Sequence, residues 1–281
     1  MKVLVTGANG QLGYDVIKRL NALGDEPVGA DREEFDITDD KATEDYITAL
    51  RPDVIVHCAA YTAVDKAEDD RDTCRKVNVD GTRNIALACE KIGAKLVYIS
   101  SDYVFGGSGT QPLEIDAPKD PQNIYGITKL GGEEEAKKCQ KHFIVRTSWV
   151  FGINGGNFVK TMLRLADSHE KLTVVDDQTG SPTYTPDLAR LICDMIKTEK
   201  YGTYHASNEG YCTWAEFAKE IMRQAEKTTE IVPCTTAEYP AKAKRPENSR
   251  LSKKCLDDAG FDRLPPWQDA LARFLKELDL A

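Results

Sequence analysis

No stretch of this chain approaches the ~20 consecutive apolar residues a membrane-spanning helix needs. No cationic, hydrophobic leader precedes the first apolar run, which starts at Lys2. The expectation is a cytoplasmic protein with no membrane partner. Histidine is sparse, with 4 in 281 residues, and the 8 cysteines are scattered. None of them forms C-x-x-C, so no zinc site, other metal site or disulfide framework is expected. Cys58 and Cys193 sit in apolar runs and read as small buried hydrophobes. An excess of positive charge is also missing: 37 Lys+Arg stand against 46 Asp+Glu, a net charge of −9, which argues against nucleic acid as a partner. Internal repeats and coiled-coil heptads are absent.

What is present begins at the first residue. The run MKVLVTGANGQLG is a short β-rich segment entering three glycines, Gly7, Gly10 and Gly13, and an amphipathic stretch follows from Tyr14 to Leu23. Strand, glycine loop and helix in that order suit a dinucleotide, although G-x-x-G-x-x-G is one residue longer than the commonest fingerprint. Gly7 permits the turn, Gly10 lets backbone approach a pyrophosphate, and Gly13 allows close helix–strand packing. The anion would rest on the helix N-terminus. A second strand signal, Pro27 to Ala30, ends at Asp31-Arg32. An acid about 20 residues past the loop suits adenosine ribose hydroxyls and NADH. Arg32 suits a 2′-phosphate and NADPH. The two residues point in opposite directions, so the cofactor is written NAD(P).

Further along, Tyr125 and Lys129 stand four apart, on one face of a helix over 125–138. A lysine beside a tyrosine lowers the phenol's pKa and makes it a usable proton donor or acceptor near neutrality. Ser101, at the end of the strand over 95–101, supplies a hydroxyl for the reacting oxygen.

The remaining pattern alternates. Helices are predicted near 39–50, 80–92, 158–166, 186–196, 214–224 and 266–278, and strands at 53–58, 143–147, 172–175 and 202–206. Such alternation predicts a parallel sheet covered on both faces, with ligands at the carboxyl ends of its strands. The glycine loop, Asp31, Ala59, Ala60, Ser101 and Thr147 to Trp149 all fall there. Residues 106–123 read as a long loop, a length that is often functional. Thr213 and Glu216 have capping-box spacing. The segment AKAKRPENSRLSKK, at 241–254, carries six cations against Glu247 alone. It suits an anionic ligand such as the diphosphate of a nucleotide-linked substrate, through Arg245 and Arg250; a solvated loop explains the lysines equally well.

With these pieces assembled, the chain resembles the extended short-chain dehydrogenase/reductase family, and within it the dTDP-4-dehydrorhamnose reductases. The likeness rests on VTGANGQLG at 5–13, RPDVIVHCAAYTAVDKAE at 51–68, VNVDGT at 77–82, ISSDYVFGG at 99–107, YGITKLGGE at 125–133, RTSWVFG at 146–152, NFVKTMLRLA at 157–166, DQTGSPTYT at 177–185 and RPENSRL at 245–251. It implies a Rossmann-type doubly wound α/β domain, 1–147 plus about 172–203. A smaller, mostly C-terminal α/β substrate lobe would take about 148–171 plus 204–281.

The resemblance implies a catalytic trio of Ser101, Tyr125 and Lys129, with serine where many members have threonine. It implies cofactor contacts from Gly7, Asn9, Gly10, Gln11, Leu12, Gly13, Asp31, Arg32, Asp36, Ile37, Ala59, Ala60, Tyr61 and Asn78, the last as much structural as chemical, and from Tyr125 and Lys129. Ser101, Asp102, Tyr103, Trp149, Asn157, Arg245 and Arg250 would meet a dTDP-sugar. The implied reaction is reduction of its C4 ketone by NADPH or NADH, in a monomer or homodimer. Some members form Mg²⁺-bridged dimers through glutamates where this chain has the shorter Asp15 and Asp187, so no bridge is predicted. Two other readings remain at this stage: a reductase or epimerase of another nucleotide-linked sugar, and a catalytically silent subunit like the β subunit of methionine adenosyltransferase. The intact trio argues against the second.

Overall fold

The computed structural model describes residues 1–239 and 241–278. In chain order its elements begin with β1 (Lys2–Thr6), α1 (Gln11–Ala22), β2 (Glu26–Ala30), α2 (Asp40–Leu50), β3 (Val54–His57), α3 (Val64–Ala67) and α4 (Arg71–Arg75). A π-helical turn over Lys76–Gly81 leads into α5 (Thr82–Ile92) and β4 (Lys95–Ser101); a 3₁₀ turn over Asp102–Val104 precedes α6 (Ile124–Ala136) and β5 (His142–Thr147). Then come β6 (Val150–Phe151), α7 (Phe158–Ala166), β7 (Lys171–Val175), β8 (Thr179–Gly180), β9 (Thr183–Tyr184), α8 (Thr185–Met195) and β10 (Gly202–His205). The chain closes with β11 (Asn208–Glu209), β12 (Cys212–Thr213), α9 (Trp214–Gln224), β13 (Glu230–Cys234), α10 (Lys254–Ala259), β14 (Leu264–Pro266) and α11 (Trp267–Glu277).

Six strands form one sheet in the order β10-β5-β4-β3-β1-β2, every pair parallel. Successive side chains of a strand face opposite ways, and the core divides accordingly. Val3, Val5, Val54, Val56 and Val145 pack with α1 and α8 on one face. Leu4, Ile55, Leu96, Tyr98 and Ile144 pack with α2 and α5 on the other. The chain runs outward from β1 to β2 and returns to β3 on the far side of β1, which opens a crevice at the carboxyl ends of β1 and β3. The doubly wound α/β expectation is met.

A second core holds Phe151, Leu163, Val174, Phe217, Ile221 and Phe274. Here the division departs from the predicted one. The strand near 172 pairs with β13 in a separate parallel ribbon, not with the large sheet, and its Leu172 and Val174 are buried in the second core. In the other direction, Cys255, Leu256 and Phe261 pack into the core beneath α1 and α8, so part of 204–281 belongs with the half built on the large sheet. No helix among the described residues is long and apolar enough to cross a membrane.

Candidate active site

The chain turns sharply out of β1. Gly7 has φ +66°, and a Cβ there would lie 2.7 Å from the Ala59 nitrogen. A Cβ on Gly13 would lie 2.1 Å from the Gly7 carbonyl oxygen. Only hydrogen fits at either place, so β1, α1 and the loop after β3 close on one another. Helix α1 starts at Gly10 with no side-chain cap, which leaves first-turn N–H groups for an anion. A cradle that side chains would fill, ending on uncapped amides, fits a dinucleotide pyrophosphate.

This cradle is one end of a cavity of about 960 Å³. Gly7, Gly10, Gln11, Leu12, Gly13, Asp31, Arg32, Asp36, Ile37, Ala59 and Ala60 line it, and so do Ser101, Asp102, Tyr103, Tyr125, Lys129 and Trp149 at the other end. Sequence positions spread over almost 150 residues thus converge on one cleft. The Asp31 carboxylate accepts from the Asn9 N–H at 3.0 Å, while Arg32, 88% exposed, reaches Asp36 only at 3.5 Å.

Helix α6 carries Tyr125 and Lys129. Its cap is Asn123, whose Oδ1 accepts from the Gly126 N–H at 2.8 Å. The Tyr125 ring meets Tyr103 edge-on, centroids 5.4 Å apart. Lys129 is 3% exposed; its Nζ donates to the Ile99 carbonyl at 2.7 Å and lies 4.2 Å over the Tyr98 ring. Burial pulls the ammonium down to about 7, with Glu133 acting the other way. The sequence expectation that Lys129 lowers the Tyr125 phenol is not met. Burial, then the Asp102 charge, push that phenol well up, while the Ser101 hydroxyl works in the opposite direction. Ser101 itself donates to Asp102 Oδ1 at 2.7 Å and accepts from the Tyr103 N–H at 3.2 Å. Burial raises the Asp102 carboxyl to about 6, against the restraining hydroxyls of Ser249 and Ser101.

Behind the trio lies a buried ion pair absent from the sequence reading. Arg146 on β5 grips Glu133 of α6 through Nε and Nη2, each at 2.7 Å, and Ser100 of β4 adds a hydrogen bond to Glu133 at 2.6 Å. It ties α6 to two strands of the sheet. His57, fully buried and pulled down to about 3 by desolvation and then by Lys129, lies between the Thr6 and Thr82 hydroxyls and is structural.

A second cavity of about 930 Å³ adjoins the first at Tyr103 and Trp149. Its walls include Phe158, Met162, Val174, Trp214 and Tyr239, with Ala241 to Pro246 along one edge. Trp149 has φ 49° and stacks on Trp214 at 3.7 Å. Arg245 lies here, paired to both Asp65 oxygens at 3.0 and 2.6 Å; its guanidinium holds that carboxyl down to about 2.

Several predicted contacts lie elsewhere. Arg250 folds back on Asn248 at 2.9 Å, held by backbone pairing of 250 with Leu113, and lines neither cavity. Asn157 caps α7 through Lys160 N and spends its amide on Gly152 and Gln11, so it braces the glycine loop and does not face the second cavity. The Tyr61 hydroxyl points to Asp70. Asn78 clasps the Tyr61 backbone, with N–H to Oδ1 at 2.8 Å, and donates to Thr128 at 3.0 Å, the structural half of its expected role. Asn9 contributes backbone, its side chain lying outside the cavity. Asp15 accepts from Thr185, and Asp187 is held by Arg273 and Asn208. Missed were Thr73 of α4 and Lys76 and Val77 of the π-helical turn, which line the first cavity; no periodicity marks such a turn.

The family model described as RmlD substrate binding domain matches residues 1–280. The spore coat polysaccharide biosynthesis protein SpsK of Bacillus subtilis is 43% identical over 277 residues, covering 98% of this chain and 97% of that protein. A dTDP-4-dehydrorhamnose reductase of Escherichia coli K12 is 38% identical over 295 residues, covering 99% and 98%. The crystal structure of a dTDP-4-dehydrorhamnose reductase from Bacillus anthracis in complex with NADP is 45% identical, covers 98% of this chain and 99% of its own, and superposes with a TM-score of 0.96.

Proposed function

The chain belongs to the RmlD substrate binding domain family, and from that premise we propose that it is an NAD(P)H-dependent oxidoreductase that reduces the C4 ketone of dTDP-4-dehydro-6-deoxy-L-mannose to dTDP-L-rhamnose, with Tyr125 as proton donor. One observation carries this reading. The glycine cradle and the Ser101, Tyr125 and Lys129 trio line a single cleft, and that cleft meets, at Tyr103 and Trp149, a second cavity holding an arginine.

When bound, the reduced nicotinamide supplies the hydride for the carbonyl carbon. The first-turn amides of α1, Gln11 to Gly13, would meet its pyrophosphate over the glycine turn, and Asp31 and Arg32 would flank the adenosine end. Ser101 holds the carbonyl oxygen as negative charge develops there. Its proton must first turn away from Asp102, where it lies in this structure. Tyr125 delivers the proton to the oxygen. Lys129, within the same buried pocket, offsets the charge left on the phenolate. Trp149, Tyr103 and Arg245 would hold the sugar and its diphosphate.

The test is incubation with dTDP-4-dehydrorhamnose and either NADPH or NADH, following loss of reduced cofactor and formation of dTDP-rhamnose. Stoichiometric conversion is expected. Cofactor binding without turnover of this or any other 4-keto sugar nucleotide would overturn the reading and leave the silent-subunit alternative.

A further inference from the structure

The basic segment singled out by its charge is fastened across the cleft to the half of the molecule that carries the catalytic helix. Within 241–246, Lys242 pairs with Asp69. The Ala243 N–H donates to Asp65 at 3.0 Å, and Arg245 grips the same carboxylate with two nitrogens. Lys244 offers its side chain to Gln122 at 3.1 Å and its carbonyl to the Asn123 Nδ2 at 2.7 Å. These residues form a strap that walls the second cavity.

Asn123 stands apart among these partners because its two ends serve different elements. Its Oδ1 caps α6 through Gly126 N, one residue beyond Tyr125. Its Nδ2 holds a carbonyl 121 positions away in the strap. The side chain is 5% exposed, so neither bond has water as a ready substitute. Aspartate would cap the helix as well, but an ionised carboxylate has no donor; the amide caps and donates at once.

We propose that Asn123 is a positioning residue that couples the strap gripping the anionic substrate to the amino end of the catalytic helix, so that closing Arg245 on a nucleoside diphosphate and setting Tyr125 in place are one event. This rests on the functional reading above, in which Arg245 faces the diphosphate.

The test uses the full chain with Asn123→Asp, which keeps the capping oxygen and removes the donor to Lys244. Binding of dTDP, measured by calorimetry, needs no turnover. It should weaken roughly tenfold, the scale of one buried hydrogen bond lost, and kcat with the keto sugar should fall as well. NADPH affinity should stay at the wild-type value, while the thermal midpoint should fall by a few degrees, as a buried carbonyl loses its donor. In an Arg245→Ala background the same substitution should cost little further dTDP affinity, since sites acting through one element are not additive. Wild-type dTDP affinity in Asn123→Asp, an undiminished loss in the Arg245→Ala background, or an equal loss of NADPH affinity would each overturn the coupling. Turnover by the unaltered protein is read separately, so a failed coupling leaves the reductase reading standing. An unaltered protein that binds no dTDP would overturn both.

Discussion

Lys129 is a cation 3% exposed, and its burial has a cost that pH can reveal. Its ordinary value of 10.5 falls to about 7 in the fold, so between those limits the unfolded chain binds more protons than the folded one, and stability rises with pH across that window. Lys129→Met should therefore be more stable than the wild type at pH 7 and below. The advantage should fade as pH climbs toward 10.5, measured by urea unfolding at a series of pH values. The same variant should lose turnover. Tyr125→Phe should lower kcat by about 10²–10⁴, the usual worth of general acid catalysis, while NADPH affinity, measured by fluorescence titration, stays near wild type. Glu133→Gln should destabilise by about 3–5 kcal/mol in chemical denaturation, because it strands the buried Arg146. Tyr125, Lys129 and Ser101 were legible in the sequence because spacing on a helix and position at a strand end are local properties. The pKa of Tyr125 was not: it depends on burial and on Asp102, which only the fold brings to bear. Arg250 misled because charge alone says nothing of where a guanidinium points.

Among elements, those with strong periodicity were legible to within a few residues. Helix α9 begins where Thr213 and Glu216 predicted, with both halves of the capping box formed. Thr213→Ala should cost about 1 kcal/mol, seen as a lowered denaturation midpoint. The last helix starts one residue after its proline. Two-residue strands such as β6, β8 and β9 left no trace in the sequence, since a period of two needs more than two residues to show. The π-helical turn over Lys76–Gly81 lies almost wholly ahead of the helix predicted near 80–92, since one widened turn has no apolar spacing of its own to show. The glycine loop belongs at this scale too. Gly13→Ala would drive a methyl group against the Gly7 carbonyl, separating α1 from β1. Loss of NADPH binding by calorimetry is the expected outcome, with a fall in stability of at least ~1 kcal/mol.

For the molecule as a whole, a parallel sheet covered by helices on both faces followed from the alternation of elements, but the partition into two halves did not. Strand β7 has the same β-branched character as strands of the large sheet, and only its partner β13 reveals that it belongs to the second core. The clefts border both halves, so ligands should stabilise the whole. NADPH at one hundred times its Kd should raise the unfolding free energy by about 2.7 kcal/mol, an increment that Gly13→Ala should not show. A final consequence comes from the stacked rings of Trp149 and Trp214. The chain has 3 tryptophans, and two of them lie nearly parallel, 14° apart, on the wall of the second cavity. Two indoles so close share their electronic excitation. The near-ultraviolet circular dichroism should carry a split signal from the pair, and any sugar nucleotide that shifts Trp149 should change it, giving the protein a built-in optical reporter that needs neither label nor turnover.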